Sequence, residues 1–281
     1  MADVRPATIG DVRALLGRVD ADEATLHLAG AAVESATAWA VRDEGEAIAL
    51  CIAHDSDDER AVGWIFVEES FRGEGTGAAL LDAAFSGIED RSRSMVFPAD
   101  DPACAALALR RGLALAAPLL EIAGALPREE ALMAMAAGSY TFEVSPLDGR
   151  GNAPELDSLD RQTRGTTRGI DHVRFGTRAT GLGFWLAGEM VAYAYAWPDG
   201  RIGPIAASSA AYLVQLVAFV LVTLQRTHGA SWCTALIPSA NVRVARALLR
   251  AGLTIGRRYG FASDATAIDL SRYVAYRPIV P

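Results

Sequence analysis

A glycine-rich turn between two apolar segments constrains this chain most. Val62 to Val67 (VGWIFV) is rich in β-branched and aromatic residues, which predicts a buried strand. After the turn, apolar residues recur at helical spacing at Ala78, Leu80, Leu81, Ala84, Phe85 and Ile88. The turn therefore leads from a strand into the start of a helix. Such a junction favours an anion, because the first N–H groups of a helix have no internal partner and glycine lets a phosphate come close.

Two nucleotide-binding motifs can be compared with this turn. Gly73, Gly75 and Ala78 have the G-x-G-x-x-G/A spacing of dinucleotide-binding folds. In those folds the first glycine directly follows the strand, whereas here the residues from Glu68 to Arg72 intervene, which disfavours a dinucleotide site. No Lys-Ser or Lys-Thr pair closes the turn, so the sequence also excludes a Walker P-loop.

The turn resembles the acyl-CoA signature of the GNAT acyltransferase superfamily, V-x-P-x-x-[QR]-x-x-G-x-[GA]. The chain reads Val67-Glu68-Glu69-Ser70-Phe71-Arg72-Gly73-Glu74-Gly75-Thr76-Gly77, with Glu69 in place of the usual proline. This resemblance, over about residues 40 to 90, implies acetyl-CoA as co-substrate. The sequence has no HExxH motif and no clustered His and Cys residues, so no metal is expected. In that family the strand bonds the pantetheine arm and thioester through its main chain, while the amides of the turn bind the pyrophosphate. The implied binding residues are Ile65, Phe66, Val67, Arg72, Gly73, Glu74, Gly75, Thr76, Gly77 and Ala78.

Composition narrows the class of protein. A length of 281 residues suits two domains, and a net charge of −8 argues against a non-specific nucleic-acid binder. All 26 basic residues are arginine, which suggests a high-GC bacterial gene. Three widely separated cysteines indicate neither disulfides nor a metal site. We expect a cytoplasmic protein without a signal peptide or membrane partner, because the longest apolar stretch, residues 210 to 224, is too short to span a bilayer.

Weak internal similarity predicts a duplicated domain. Gly45 and Gly188 lie in similar segments 143 residues apart, and Gly63 with Gly203, like Gly112 with Gly252, are 140 residues apart. We therefore predict an α/β fold of two tandem GNAT-like domains, each a mixed, mostly antiparallel twisted sheet flanked by helices. The predicted boundaries are residues 1–127 for an acyl-CoA-binding domain, 128–138 for a linker and 139–281 for a degenerate copy.

The second copy is predicted to lack the acyl-CoA motif. An offset of 140 residues places Tyr212 at Arg72, Leu213 at Gly73, Gln215 at Gly75 and Val217 at Gly77. Side chains at those positions would keep a pyrophosphate away from the backbone. An intact motif is therefore expected only in the N-terminal copy.

Candidate catalytic residues remain open at this stage. Glu68 and Glu69 are candidate bases because both carboxylates lie near the end of the strand. Alternation sends them to opposite faces, so only one is expected to reach the acceptor, and both would also suit an ordinary turn. Many family members have a tyrosine that protonates the leaving thiolate, and the matching position here is Ala108. Tyr193 or His172 could supply an acid, although both residue types are also common in cores.

Other segments carry local expectations. Asp11 is predicted to cap a helix that begins at Val12, and residues 21–37 are predicted to be helical. The acidic loop from His54 to Arg60 is interpreted as a solvated hairpin tip, with attraction of amines as the alternative.

The functional expectation is an N-acetyltransferase. It would transfer acetyl from acetyl-CoA to a primary amine of a small molecule or peptide by direct attack in a ternary complex. The alternative is a non-catalytic acyl-CoA-binding regulatory protein. As to assembly, either a monomer, with the fused copies acting as a pseudo-dimer, or a homodimer is expected.

Overall fold

The computed structural model describes residues 2–18, 23–266 and 268–278. The strands are β1 Val4–Pro6, β2 Ala38–Asp43, β3 Glu46–Asp55, β4 Glu59–Val67, β5 Ser92–Pro98, β6 Ala114–Leu115, β7 Leu119–Ala125, β8 Glu143–Pro146, β9 Thr180–Leu186, β10 Glu189–Ala196, β11 Arg201–Ala207, β12 Trp232–Pro238, β13 Thr254–Ser263 and β14 Tyr273–Val274. The helices are α1 Ile9–Gly17, α2 Glu23–Glu34, α3 Thr76–Phe85, α4 Pro102–Arg110, α5 Glu129–Ala136, α6 Ala153–Arg164, α7 Gly169–Gly176, α8 Leu213–His228 and α9 Val242–Arg250. Short 3-10 turns cover Glu69–Phe71 and Leu270–Arg272.

The strands join into one open, mostly antiparallel sheet. Its order is β1-β2-β3-β4-β5-β13-β7-β12-β11-β10-β9-β8, with β6 and β14 paired to β13 and β11. Only β4 with β5 and β11 with β12 run parallel among the described strands. These two parallel pairs occupy matching places in the two halves of the chain. The predicted mixed, mostly antiparallel α/β fold with two related halves is confirmed.

The two halves exchange a strand. β13, from the C-terminal half, lies between β5 and β7, and Phe261 is in register with Val96. β7, from the N-terminal half, pairs with β12, and Leu120 is in register with Ile237. Each half therefore completes its sheet with a strand that the other half supplies. The predicted boundaries at residues 127 and 139 stay a prediction, and the sheet itself runs through both halves.

Apolar packing also crosses between the halves. On one face of β4, Trp64 and Phe66 pack against a cluster that includes Tyr193, Tyr195 and Trp197 of the second half. The opposite face packs against α3 and α4 in a separate cluster. A third cluster surrounds the buried face of α8. The end of β4 thus lies between a helical layer and a core that both halves share.

Several local expectations need correction. Thr8, rather than Asp11, caps α1, and Asp11 occupies the third helical position of a capping box, where its carboxylate accepts a hydrogen bond from the Thr8 amide. The helix after the glycines ends at Phe85, so Ile88 is buried beyond it. Within the predicted 21–37 helix, α2 spans Glu23–Glu34, and residues 21 and 22 lie outside the described residues. The linker at residues 128–138 stays a prediction; it contains the helix α5, which packs on α8.

None of the helices in the described ranges is long and apolar enough to cross a membrane. The predicted cytoplasmic location stays a prediction.

Candidate functional site

The strands β4 and β5 separate halfway along β4. Their parallel register runs from Glu59 opposite Ser92 to Val62 opposite Met95 and ends there. On its other edge β4 stays paired with β3 as far as Val67 opposite Ala49, after a register shift near Ala53. Among the described strands, nothing pairs with the edge of residues 63–67 that faces β5. Apart from the Val67 carbonyl, which accepts a hydrogen bond from Arg72, the main-chain N–H and C=O groups along this edge are therefore available to a ligand.

The loop after β4 has the backbone that glycine permits. Gly73 and Gly75 have φ angles of +85° and +84°, and Gly75 is the N-cap of α3. A Cβ at either position would meet nothing within 4 Å, so the left-handed backbone, not packing, requires glycine. The same result shows that the space around both glycines is open. No side chain caps the first N–H groups of α3, which leaves them for an anion.

Two further contacts shape the loop. The Nε atom of Arg72 donates to the carbonyl oxygen of Val67 at 2.9 Å, which links the loop back to the end of β4. A Cβ on Gly77 would stand 3.3 Å from Cδ1 of Leu107, so a small residue lets α3 lie close to α4. Asp101 caps α4 through the amides of Ala103 and Cys104.

The predicted acyl-CoA residues form one continuous surface. Ile65, Phe66 and Val67 lie on the open segment of β4, and the sequence from Arg72 to Ala78 covers the loop and the first turn of α3. The indole N–H of Trp64, on the same segment, is buried without a hydrogen-bond partner among the described residues. An open edge, an open glycine loop and an unpaired donor fit an extended, phosphate-bearing thioester. The binding assignments themselves stay predictions.

The two candidate bases differ in their surroundings. Glu68 is half-buried, its amide donates to the Ile48 carbonyl at 2.9 Å, and its carboxylate pairs with Arg18 of the α1 C-terminus. Glu69 is exposed and begins the 3-10 turn. The expected strand alternation does not extend to this pair, because β4 ends at Val67. Glu68 is thus the carboxylate held against the end of β4.

His172 and Tyr193 lie inside the second half, in contact through Asp160. The Nε2 atom of His172 is 3.0 Å from Asp160, the Tyr193 hydroxyl donates to the same carboxylate, and Nδ1 of His172 is 2.9 Å from the Tyr195 hydroxyl. His172 and Tyr193 are both fully buried. Burial raises the pKa of Tyr193 well above its ordinary value, and the Asp160 charge raises it further. These side chains form a buried network in this structure, and their catalytic roles stay predictions.

The acidic loop before β4 is not a solvated tip. Asp58 accepts from the Thr167 amide at 2.7 Å, Asp57 accepts from the Gly169 amide at 2.7 Å, and Glu59 binds the Arg164 guanidinium. The loop therefore docks on the segment that runs from the end of α6 to the start of α7 in the second half. The acidic loop is evident in the sequence, but its partners in the second half are visible only in three dimensions.

The second half has a different loop at the matching place. Residues 208–212 join β11 to α8, whereas residues 68–75 join β4 to α3, so the assumed constant offset fails here. Leu213, Gln215 and Val217 are buried in the first turns of α8 and are not loop residues. Gln215 donates to the Tyr140 carbonyl at 2.7 Å. No residue from 204 to 228 has a positive φ. That this half binds no acyl-CoA stays a prediction.

The described residues give little support to metal-dependent or cysteine chemistry. They contain no group of three or more His, Cys, Asp or Glu side chains placed to hold a metal ion. Cys51, Cys104 and Cys233 are free and buried. Ala108, which replaces the family tyrosine, is fully buried in α4.

Comparisons with known proteins agree with this geometry. Residues 14–112 match the family described as Acetyltransferase (GNAT) family. No curated protein matches the chain in sequence.

Solved structures resemble nearly the whole chain. A protein of Pyrococcus horikoshii, provisionally assigned as an acetyltransferase, has a TM-score of 0.69 at 11% identity, covering 99% of this chain and 95% of its own. A GCN5-related N-acetyltransferase from Sphaerobacter thermophilus has a TM-score of 0.59 at 16% identity, covering 95% and 97%. A tandem GNAT protein from the clavulanic acid biosynthesis pathway has a TM-score of 0.54 at 16% identity, covering 94% and 98%. At these identities the likeness concerns the fold alone. Residues 14–112 are thus GNAT-like in sequence, and the chain as a whole has the fold of tandem GNAT proteins.

Proposed function

We propose that this protein transfers the acetyl group of acetyl-CoA to a primary amine of a small molecule or peptide. The observation that carries the proposal is the open edge of β4, which leads directly into the glycine loop at the start of α3. An extended thioester needs a strand edge for its amide-bearing arm and helix amides for its phosphates, and this chain provides both in sequence. The N-acetyltransferase names of several structural relatives support the same activity.

The residues of the open edge and the loop would hold the co-substrate. Main-chain groups of Ile65, Phe66 and Val67 are assigned to the arm and the thioester carbonyl, and the amides of residues 73–78 to the pyrophosphate. Arg72 adds a positive charge beside the loop. A main-chain N–H on the open edge that meets the thioester oxygen would stabilise the negative charge that develops there during attack.

The transfer requires proton removal from the acceptor. The amine nitrogen forms a bond to the acetyl carbon as the carbon–sulfur bond breaks, and an ammonium acceptor gives up two protons, one of which ends on the thiol. Glu68 is assigned as the base, directly or through a water, because it is held against the end of β4. Ala108 carries no proton donor, so the proton for the thiolate comes from another group or from solvent.

A second candidate function is a regulatory protein that binds acyl-CoA without turnover. Ala108 in place of the tyrosine favours it, and so does the ion pair that already occupies Glu68. Both functions need the same co-substrate site, so they differ only in release of the thiol.

Calorimetric titration of acetyl-CoA tests the site. Wild type should bind, and Gly75→Val should lose binding because its Cβ projects into the open space at the loop. Gly87→Val is a matched control, since Gly87 also has a positive φ, +73°, and open space around it, but lies outside the loop. It should keep binding at a similar cost in stability. Absence of binding by wild type, or equal loss in both variants, would contradict the proposal.

A thiol-release assay across a panel of primary amines then separates the two functions. Release with any amine supports the acetyltransferase. Binding of acetyl-CoA without release on any amine supports the regulatory alternative.

A further inference from the structure

A cavity of about 470 Å³ opens in the second half of the chain, away from the β4 edge. It lies between α6, the hairpin of β9 and β10, and the residue after β11. Its lining residues are Pro154, Glu155, Ser158, Leu159, Gln162, Trp185, Gly188, Glu189, Met190, Val191 and Ser208. This volume falls in the range of small-molecule sites. None of the lining residues belongs to the acetyl-CoA site assigned above.

The charged side chains that line the cavity are both carboxylates. Glu155 comes from the first turn of α6 and Glu189 from the start of β10. The guanidinium of Arg272 contacts two of the lining residues, donating to the carbonyl oxygens of Gln162 and Ser208 at 2.7 and 3.0 Å. Arg272 is also 2.8 Å from Asp269, which offsets its charge. The cavity therefore favours a cation.

One carboxylate oxygen of Glu155, a lining residue, lacks a hydrogen-bond partner. Its Oε2 atom is shielded from solvent and accepts no hydrogen bond from the described residues. The charge of this carboxylate is therefore poorly offset by the protein, and it attracts a cation in the cavity through space. Glu155, Ser158 and Gln162 share one face of α6, because their spacing is close to whole helical turns.

An aromatic ring forms another part of the lining. The indole N–H of Trp185 donates to the Ser145 hydroxyl at 3.0 Å, which fixes the ring. Leu159, Met190 and Val191 add apolar surface. A fixed indole face, two carboxylates and apolar side chains together suit an alkylammonium ion, which carries charge and hydrocarbon on adjacent atoms.

We propose that this cavity binds a small organic ammonium ion. This binding does not require acetyl transfer, so it can be tested independently of the proposed function. The carboxylates of Glu155 and Glu189 supply the charge, and the ring of Trp185 supplies one wall.

The test uses the full-length protein and the indole N–H signals of its five tryptophans in nitrogen-edited NMR spectra. Trp185→Phe assigns the signal of Trp185. Titration with tetramethylammonium chloride or butylammonium chloride should shift this signal saturably, while sodium chloride and neutral 1-butanol at equal concentration should not. Glu155→Gln and Glu189→Gln should each weaken the affinity at least about fivefold. Glu130→Gln, an exposed change outside the cavity, should leave it unchanged.

Three results would overturn the proposal. These are no shift beyond that of sodium chloride, an equal shift with 1-butanol, and unchanged affinity in both cavity variants. Glu189 is exposed, so its variant keeps the test valid even if Glu155→Gln unfolds the protein. Calorimetry with acetyl-CoA on the same variants should give wild-type binding, which keeps this result distinct from a failure of the acetyltransferase assignment.

Discussion

The carboxylate of Glu59, the first residue of β4, is bound by the guanidinium of Arg164, the last residue of α6. Ser94 and Thr166 donate to the same carboxylate at 2.5 and 3.0 Å. Glu59 and Arg164 are both buried, at 3% and 9% exposure. This contact joins the second half to the strand whose far end forms the proposed acetyl-CoA edge.

We expect Arg164→Met to destabilise the protein by about 3–5 kcal/mol, because it leaves the Glu59 charge buried without its partner. Arg161→Met, an exposed change on the same helix, should stay within about 0.5 kcal/mol of wild type. Urea unfolding measures both. The double variant Glu59→Leu/Arg164→Met should recover part of the lost stability. A loss equal to the sum of the losses of the two single variants would contradict the pairing.

The same pair predicts an acid dependence. Burial alone raises the pKa of Glu59, but the charges of Arg164 and Arg168 and the hydroxyls of Ser94 and Thr166 outweigh it, so the pKa lies below its ordinary value. A lowered pKa in the folded state contributes stability above the unfolded pKa of about 4.3 and loses it as pH falls further. Between about pH 5 and pH 3, wild type should therefore lose more unfolding free energy than Glu59→Gln. Parallel curves would contradict this assignment.

Strand exchange predicts that a change in the C-terminal half disturbs the N-terminal sheet. Gly260 of β13 is in register with Phe97 of β5, and a Cβ on Gly260 would overlap the Phe97 ring. Gly260→Ala should cost about 1–3 kcal/mol. At Gly256 on the same strand, a Cβ would stand 3.5 Å from the nearest atom, in Glu121, so Gly256→Ala should be nearly neutral. Thermal and urea unfolding check the pair, and Phe97→Leu should reduce the cost of the Gly260 change.

Once an acceptor amine is known, the base can be identified by matched changes of adjacent carboxylates. Glu68→Gln should lower kcat by about 100-fold and leave the acetyl-CoA affinity unchanged, as expected for a general base. Glu69→Gln, at an exposed position, should change kcat less than about threefold. The reverse order of effects would move the assignment to Glu69. Loss of acetyl-CoA binding by Glu68→Gln would instead give Glu68 a structural role.

Local sequence was enough to predict the strand, the glycine loop and the helix. Gly73 and Gly75 need a left-handed backbone that few other residues adopt, and the apolar spacing around them is specific to a strand and a helix. The repeated segments were likewise visible because Gly45 and Gly188 occupy equal turns between paired strands.

The long-range pairing of strands could not be predicted from local sequence patterns. β13 has the composition of a strand that could complete either half, and no pattern within residues 254–263 states which edge it joins. Asp57 to Glu59 look like a solvated turn until the Arg164 segment is placed beside them. A histidine in the sequence is compatible with a catalytic site and with a buried hydrogen-bond network. Only the contacts of His172 with Asp160 and Tyr195 show that it belongs to a buried network.

The exchanged strands also fix an order of events during synthesis. When residues 1–125 have left the ribosome, β5 still lacks the neighbour that residues 254–263 will provide. An unpaired strand edge is prone to pair with other chains. The nascent N-terminal half must therefore wait, with one edge open, until residues 254–263 have been translated.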